Sequence, residues 1–157
     1  MTKEKTIIAG IGNRLLSDDG FGPRVIDLLN QLELPTHIDT RDMGTAGLTI
    51  ASDLSDYQRV IFLDAMEMEG IPGRIEKNRL KIKNSADEII GLSRMTLHDA
   101  KLEGLLKFAK VINTLPEDVI LIGCKPKSLE IGLILSDEVE AATHEAVKII
   151  LELIKKG

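Results

Sequence analysis

The sequence of 157 residues is poor in cysteine and aromatic residues and has no excess of positive charge. A single cysteine, Cys124, excludes an internal disulfide and suits a reducing compartment, so we expect a cytoplasmic protein. With no Trp, one Tyr and three Phe, the core must be built from Ile, Leu and Val. A net charge of −5 argues against nucleic-acid or anionic-membrane partners, because phosphate binding relies on clustered Lys and Arg.

Long apolar runs are also missing. No stretch is long enough to span a bilayer, and the apolar stretch near the N-terminus is too short for a signal peptide. What remains is a globular composition, 43% hydrophobic and 29% charged, without repeats or low-complexity tracts. We therefore expect residues 1–157 to form a single domain with a sizeable core.

Strand and helix patterns alternate along the chain. Apolar runs bounded by glycine or a polar residue predict strands at 6–11, 37–41, 59–65 and 119–122, and "PGRIEKN" predicts an antiparallel strand. Apolar residues at helical spacing predict helices at 21–32, 99–112 and from 136 onward, with a short helix near 48–54. This order predicts an α/β fold, a three-layer sandwich in which a twisted, mainly parallel sheet of about five strands lies between helices.

The carboxyl ends of the predicted strands select the candidate site. Ligands of open α/β sheets bind at this edge. Asp18 and Asp19 follow the first strand, and Asp64 ends the most apolar one. His98 opens the helix at 99–112 and shares the spacing of its apolar, inward face. Two carboxylates and one imidazole are a plausible ligand set for a borderline divalent metal, with coordination positions left for a substrate.

Each of these residues also has a structural interpretation. Asp18 or Asp19 alone fits an N-cap of the helix near residue 20, and Asp64 fits a strand-end residue that accepts hydrogen bonds from turn amides. A lone His98 is more often a half-buried histidine than a ligand. Cys124 ends an apolar strand and is expected to be packed rather than reactive.

A nucleotide site is the competing interpretation of "GIGNRL". Only the first part of the dinucleotide glycine fingerprint is present, and Leu15 occupies the third glycine position. Asp18 and Asp19 then precede the helix, where carboxylates would repel a pyrophosphate at the helix N-terminus. This interpretation therefore has little support.

Five segments together resemble the hydrogenase maturation protease family. They are "GIGNRLLSDDGFGPRVI", "DMGTAG", "IFLDAMEMEGIPG", "TLHDAKLEGLL" and "VILIGCKPKSLEIGLILSDEVEAA". The similarity covers nearly the whole chain in the same order, and the first motif is specific. It implies a twisted, mainly parallel sheet between helices, and an endopeptidase that removes the C-terminal extension of a nickel–iron hydrogenase large-subunit precursor after nickel insertion.

The resemblance also implies roles for individual residues. Asp19, Asp64 and His98 look like the metal ligands and catalytic residues. The metal is expected to be nickel supplied by the bound precursor, and another divalent metal is expected to occupy the site in crystals. The residues that the resemblance connects with precursor recognition are Asp42, Gly44 and Thr45, and those of the structural turn are Gly10, Gly12, Asn13 and Asp18.

Two chemical routes are open at this stage. Nickel of the substrate polarises the scissile carbonyl or activates water, or a carboxylate acts as general base and nickel serves only for recognition. No Ser-His-Asp or Cys-His set suggests a covalent route. A non-catalytic metal-sensing chaperone for the precursor and a nucleotide-binding α/β enzyme remain the alternatives.

Overall fold

The computed structural model describes residues 4–44, 47–81 and 100–156. Within these residues the chain forms five strands, β1 to β5, three α-helices, α1 to α3, and two 3-10 helices. The strands are β1 (Thr6–Ile11), β2 (Ile38–Gly44), β3 (Arg59–Ala65), β4 (Ile75–Lys81) and β5 (Asp118–Cys124). The helices are α1 (Phe21–Leu29), α2 (Ala100–Val111) and α3 (Asp137–Lys156), and the 3-10 helices are Ser17–Gly20 and Gly47–Asp56.

The strands form one sheet in the order β2-β1-β3-β5-β4. β1 pairs in parallel with β2 and β3, and β3 pairs in parallel with β5. β4 alone runs antiparallel, against β5. The mainly parallel, five-stranded sheet predicted from the sequence is therefore confirmed, including its one antiparallel strand.

Both faces of the sheet are covered, and β1, β3 and β5 are therefore buried along nearly their whole length. Successive residues of each strand point to opposite faces. Ile7 and Phe62 belong to a core shared with α2 and the second 3-10 helix. Ile8 and Leu63 belong to a second core shared with α1 and α3. The two cores make the sheet the middle of three layers, as expected.

Several element boundaries differ from the predictions. α1 ends at Leu29, and Leu32, predicted to be on its apolar face, is 44% exposed. β2 extends to Gly44, because a register shift after Gly10 lets β1 continue its pairing with β2. The short helix near 48–54 is a 3-10 helix from Gly47 to Asp56.

α3 begins directly after Ser136, where the sequence predicted its start. The hydroxyl of Ser136 accepts a hydrogen bond from the backbone N–H of Val139 at 3.3 Å, the arrangement of an N-cap. None of the helices that the structure describes combines the length and the apolar character needed to cross a membrane.

Candidate active site

The carboxyl ends of β1 and β3 form the point where the chain reverses its direction across the sheet. From β1 the chain passes through α1 to β2 on one side, and β3 lies on the other side of β1. Near the end of β1, Gly10 pairs with Asp42 of β2 and with Leu63 of β3. Ligand sites of open α/β sheets lie outside such a switch point, so this edge is the expected position of a site.

Two glycines allow the first turn of α1 to lie directly on the strand ends. Gly12 has φ +146°, and a Cβ there would lie 1.9 Å from the carbonyl oxygen of Asp19. A Cβ on Gly22 would lie 2.5 Å from the carbonyl oxygen of Leu63 and 2.6 Å from that of Ile11. Only glycine fits at these contacts, and the result is that residues 12–22 curl tightly over the switch point.

Asp64 is the buried carboxylate of this edge. It lies in β3 opposite Gly123 of β5 and is 1% exposed. No described residue donates a hydrogen bond to its Oδ2. A buried carboxylate oxygen without a donor is costly, and such groups call for a specific explanation. A cation or a proton-bearing substrate group at this edge would supply the missing partner.

Asp19 is half-buried in the 3-10 helix that follows β1. Its Oδ2 accepts a hydrogen bond of 2.7 Å from the backbone N–H of Asn13, which closes the turn after β1. Neither the 3-10 helix Ser17–Gly20 nor α1 has a side-chain cap, so the capping interpretation of Asp18 and Asp19 is wrong. The turn bond engages one oxygen of Asp19.

Asp18 points the other way and binds the segment that leads into α3. It is fully buried, and its carboxylate accepts four hydrogen bonds. Two come from the backbone N–H groups of Lys127 and Ser128, at 2.8 and 3.1 Å, and two from the N–H and the hydroxyl of Ser136, at 2.7 and 2.9 Å. These donors compensate the burial of the charge, so Asp18 is a structural anchor between residues 17–20 and 127–136.

Ser17 strengthens the same connection. It has φ +50°, a conformation that non-glycine residues adopt rarely. Its N–H donates to the carbonyl of Gly132 at 2.8 Å and its hydroxyl to the carbonyl of Glu130 at 2.7 Å. Leu16 forms an isolated parallel bridge with Gly132. These bonds hold the unusual backbone conformation in place.

Asp42, predicted to serve precursor recognition, is engaged by a residue that the sequence reasoning missed. Its Oδ2 accepts a hydrogen bond from Nη2 of Arg14 at 2.8 Å, and its Oδ1 accepts one from the N–H of Gly44 at 2.9 Å. Arg14 also binds Asp27 of α1 at 2.7 Å, and this bond lowers the pKa of Asp27. The signal for Arg14 was its position as the only cation between β1 and α1 in a motif with two carboxylates.

Two predicted site residues, Thr45 and His98, lie outside the residues that the structure describes. Within residues 4–44, 47–81 and 100–156, no three His, Cys, Asp or Glu side chains are grouped as a metal site would require. The predicted ligand set of Asp19, Asp64 and His98 therefore stays a prediction, with two of its members in the described part of the chain.

Two further features of the described residues, a buried cysteine and a cavity, do not contribute to the chemistry of this edge. Cys124 is fully buried at the end of β5, and burial raises the pKa of its thiol to about 12. A cavity of about 410 Å³ lies at the opposite edge of the sheet, before the starts of the parallel strands, where Tyr57, Pro116 and Asp118 line it. Neither feature offers a nucleophile at the carboxyl edge.

Comparison with known proteins decides the family. The family model described as hydrogenase maturation protease matches residues 23–153. The chain belongs to this family. The protease is 31% identical over 156 residues to the hydrogenase expression/formation protein HoxM of Azotobacter vinelandii, a match that covers 98% of this chain and 74% of that protein.

Solved structures agree with this assignment. The hydrogenase 2 maturation peptidase from Thaumarchaeota archaeon SCGC_AB-539-E09 is 56% identical to the protease, with a TM-score of 0.78 and coverage of 97% of this chain and 99% of that one. The hydrogenase maturating endopeptidase HybD of Escherichia coli is 26% identical, with a TM-score of 0.81 and coverage of 97% and 93%. The predicted peptidase activity and fold class are thereby confirmed.

Proposed function

We propose that this protease removes the C-terminal extension of a nickel–iron hydrogenase large-subunit precursor after nickel has been inserted. In this proposal Asp19, Asp64 and His98 engage the nickel that the precursor carries, and Asp42, Gly44 and Thr45 contact the precursor segment beside it. The proposed compartment is the cytoplasm, because a lone cysteine suits a reducing environment.

The observation that supports the proposal best is the state of Asp64. Its Oδ2 is buried at the switch point of the sheet and receives no hydrogen bond from the described residues. Asp18, only one residue from Asp19, is also buried but has donors for both of its oxygens. The contrast favours a role for Asp64 in which the partner arrives with the substrate.

The charge of the edge favours a cation as that partner. Asp19 and Asp64 bring two carboxylates, and the turn bond from Asn13 engages one oxygen of Asp19. Two carboxylates and one imidazole supply only three side chains, which leaves coordination positions of nickel open. The free protease is therefore expected to hold nickel weakly, and tight engagement requires the ligands that the precursor itself supplies.

Two chemical routes are compatible with this arrangement. Nickel brought by the substrate supplies Lewis-acid chemistry at the scissile carbonyl or at a water. Alternatively, Asp19 or Asp64 accepts the proton of the attacking water as general base, and nickel is only the feature that is recognised. In the first route Asp19 and Asp64 serve as ligands of that nickel, and in the second route one of the two is the base.

A processing assay tests the proposal. Metal-free precursor, nickel-loaded precursor, and protease that was preincubated with nickel and desalted are compared by mass measurement of the large subunit. We expect cleavage of the loaded precursor only, whatever the pretreatment of the protease. Equal cleavage of the metal-free and loaded precursors would refute the nickel-sensing role, and capture without cleavage would indicate the chaperone alternative.

Two substitutions make the assay specific for the site. Asp64→Asn keeps the size of the side chain and removes the charge, so we expect normal folding and lost processing. Asp56→Asn, a matched change at an exposed position at the end of the second 3-10 helix, serves as its control. Normal cleavage by the Asp64 variant would show that this carboxylate neither binds nickel nor acts as base.

A further inference from the structure

Exposed apolar side chains are concentrated beside the candidate site. The described part of the chain exposes ten large hydrophobic residues, and half of them lie in two neighbouring segments. We call these five the apolar loop surface: Leu15 (60% exposed), Leu129 (47%), Ile131 (91%), Leu133 (78%) and Ile134 (83%). Single exposed hydrophobic residues are ordinary, but a local concentration of them marks an interaction site.

The backbone under this surface is fixed by hydrogen bonds. Gly132 donates to the carbonyl of Leu15 at 2.8 Å and accepts from the N–H of Ser17 at 2.8 Å. The bridge between Leu16 and Gly132 is parallel. The bond from Gly132 brings Leu15 next to the peptide group between Ile131 and Gly132. The surface is therefore preorganised, which lowers the entropic cost of binding to it.

The apolar loop surface lies near the candidate site. Leu15 is four residues from Asp19, a separation that spans at most about 14 Å even for an extended chain. Asp18, directly before Asp19, anchors the loop segment 127–136 through four hydrogen bonds. A folded protein whose C-terminal segment reaches Asp19 would meet this surface with the part of its body next to that segment.

We propose that the apolar loop surface is the docking site for the folded body of the hydrogenase precursor. The proposal rests on the function proposed above and adds the surface that recognises the substrate outside the cleavage site. A second copy of this chain is a poorer occupant, because a dimer formed here would crowd the edge that a folded protein substrate has to approach. The contact is apolar on the protease side, so the complementary face of the precursor is expected to be apolar as well.

The double variant Ile131→Ser/Leu133→Ser tests the docking site, with Val111→Ser as its matched control. Val111 is 82% exposed at the end of α2, shortly before β5 begins and therefore toward the opposite edge of the sheet. Binding of the nickel-loaded precursor is measured by biolayer interferometry and cleavage by mass. We expect the double variant to raise Kd and KM by roughly tenfold or more, because buried apolar anchors carry most interface energy.

The controls separate the possible outcomes. Thermal melting should be unchanged in both variants, since surface substitutions have small effects on stability. Equal binding by wild type and the double variant overturns the proposal, as does an equal loss in the Val111 variant or the absence of any precursor binding by wild type. The proposal is also overturned if sedimentation shows that this surface mediates self-association or binds lipid vesicles instead of the precursor. Wild type that binds the precursor through this surface without cleaving it would support docking and refute the proposed protease step.

Discussion

The two adjacent aspartates of the first motif should have opposite phenotypes, and Asp18→Asn is the most direct test. The substitution keeps the shape of the side chain and replaces one acceptor oxygen by an NH₂ group. In the wild-type protein the Asp18 carboxylate accepts hydrogen bonds from the N–H groups of Lys127 and Ser128 and from the N–H and hydroxyl of Ser136. An amide oxygen can replace Oδ2, but the NH₂ group then faces the N–H of Ser136.

The expected loss of stability follows from these contacts. Three hydrogen bonds to Oδ2 become neutral, and neutral bonds are roughly half as strong, so their weakening costs about 2 kcal/mol in total. The unsatisfied N–H of Ser136 costs about 1–3 kcal/mol more. A neutral amide is easier to bury than a carboxylate, which offsets part of this loss. We expect the free energy of unfolding to fall by about 3 kcal/mol relative to wild type.

Urea unfolding measures this difference, and Asp19→Asn is the matched comparison. An amide oxygen at position 19 can still accept the one bond from the N–H of Asn13, so we expect a loss below about 1 kcal/mol together with lost processing. A change below about 1 kcal/mol for Asp18→Asn would refute the assignment of Asp18 as a structural anchor. Normal processing by Asp19→Asn would remove that carboxylate from the site.

Three further perturbations test the core, the thiol and one ion pair. Leu63→Ala should lower the free energy of unfolding by about 2–5 kcal/mol in urea, because Leu63 is fully buried under α1, while the folded fraction still cleaves. Cys124 should resist iodoacetamide at pH 8 until the protein is unfolded, since burial raises its pKa to about 12; rapid labelling of the native protein would contradict its packing role. The hydrogen bond from Arg24 lowers the pKa of Glu140, so the folded pKa lies below the unfolded one. The pair should therefore contribute about 0.5–1 kcal/mol to the free energy of unfolding above about pH 5, and this contribution should be lost as the pH falls below about 4. Arg24→Gln should abolish this pH-dependent difference in stability.

The sheet could be predicted from the sequence because its signals are local. The runs at 6–11 and 59–65 are mostly apolar, and both strands have the predicted bounds. The extension of β2 to Gly44 depends on pairing across the sheet after a register shift, which no local pattern reveals. α1 stops at Leu29 although Leu32 continues its spacing, because propensity and spacing do not fix where a helix stops contacting the core.

The candidate site was less accessible to sequence reasoning because it depends on contacts between distant segments. The rule that ligands bind at the carboxyl ends of the strands selected Asp18, Asp19 and Asp64, but it could not separate their environments. Asp18 is distinguished by donors that lie more than 100 residues away in sequence, at 127–136. The bond between Arg14 and Asp42 likewise joins two segments 28 residues apart. Such pairings follow from the packed fold and not from spacing.

The residues before α1, rather than its packing, argue against a phosphate cradle between β1 and α1. In a dinucleotide site, glycines also allow the helix to pack closely on the strand, and the pyrophosphate binds at the free N–H groups of the helix N-terminus. The same close packing is present here, since a Cβ at Gly22 would lie within 3 Å of the backbone of both Ile11 and Leu63. The difference is the 3-10 helix directly before α1, which carries Asp18 and Asp19 in its first turn. Two carboxylates at this position would repel a pyrophosphate, so the glycine-rich turn of this chain is unsuited to an anion although its backbone packing resembles that of a dinucleotide site.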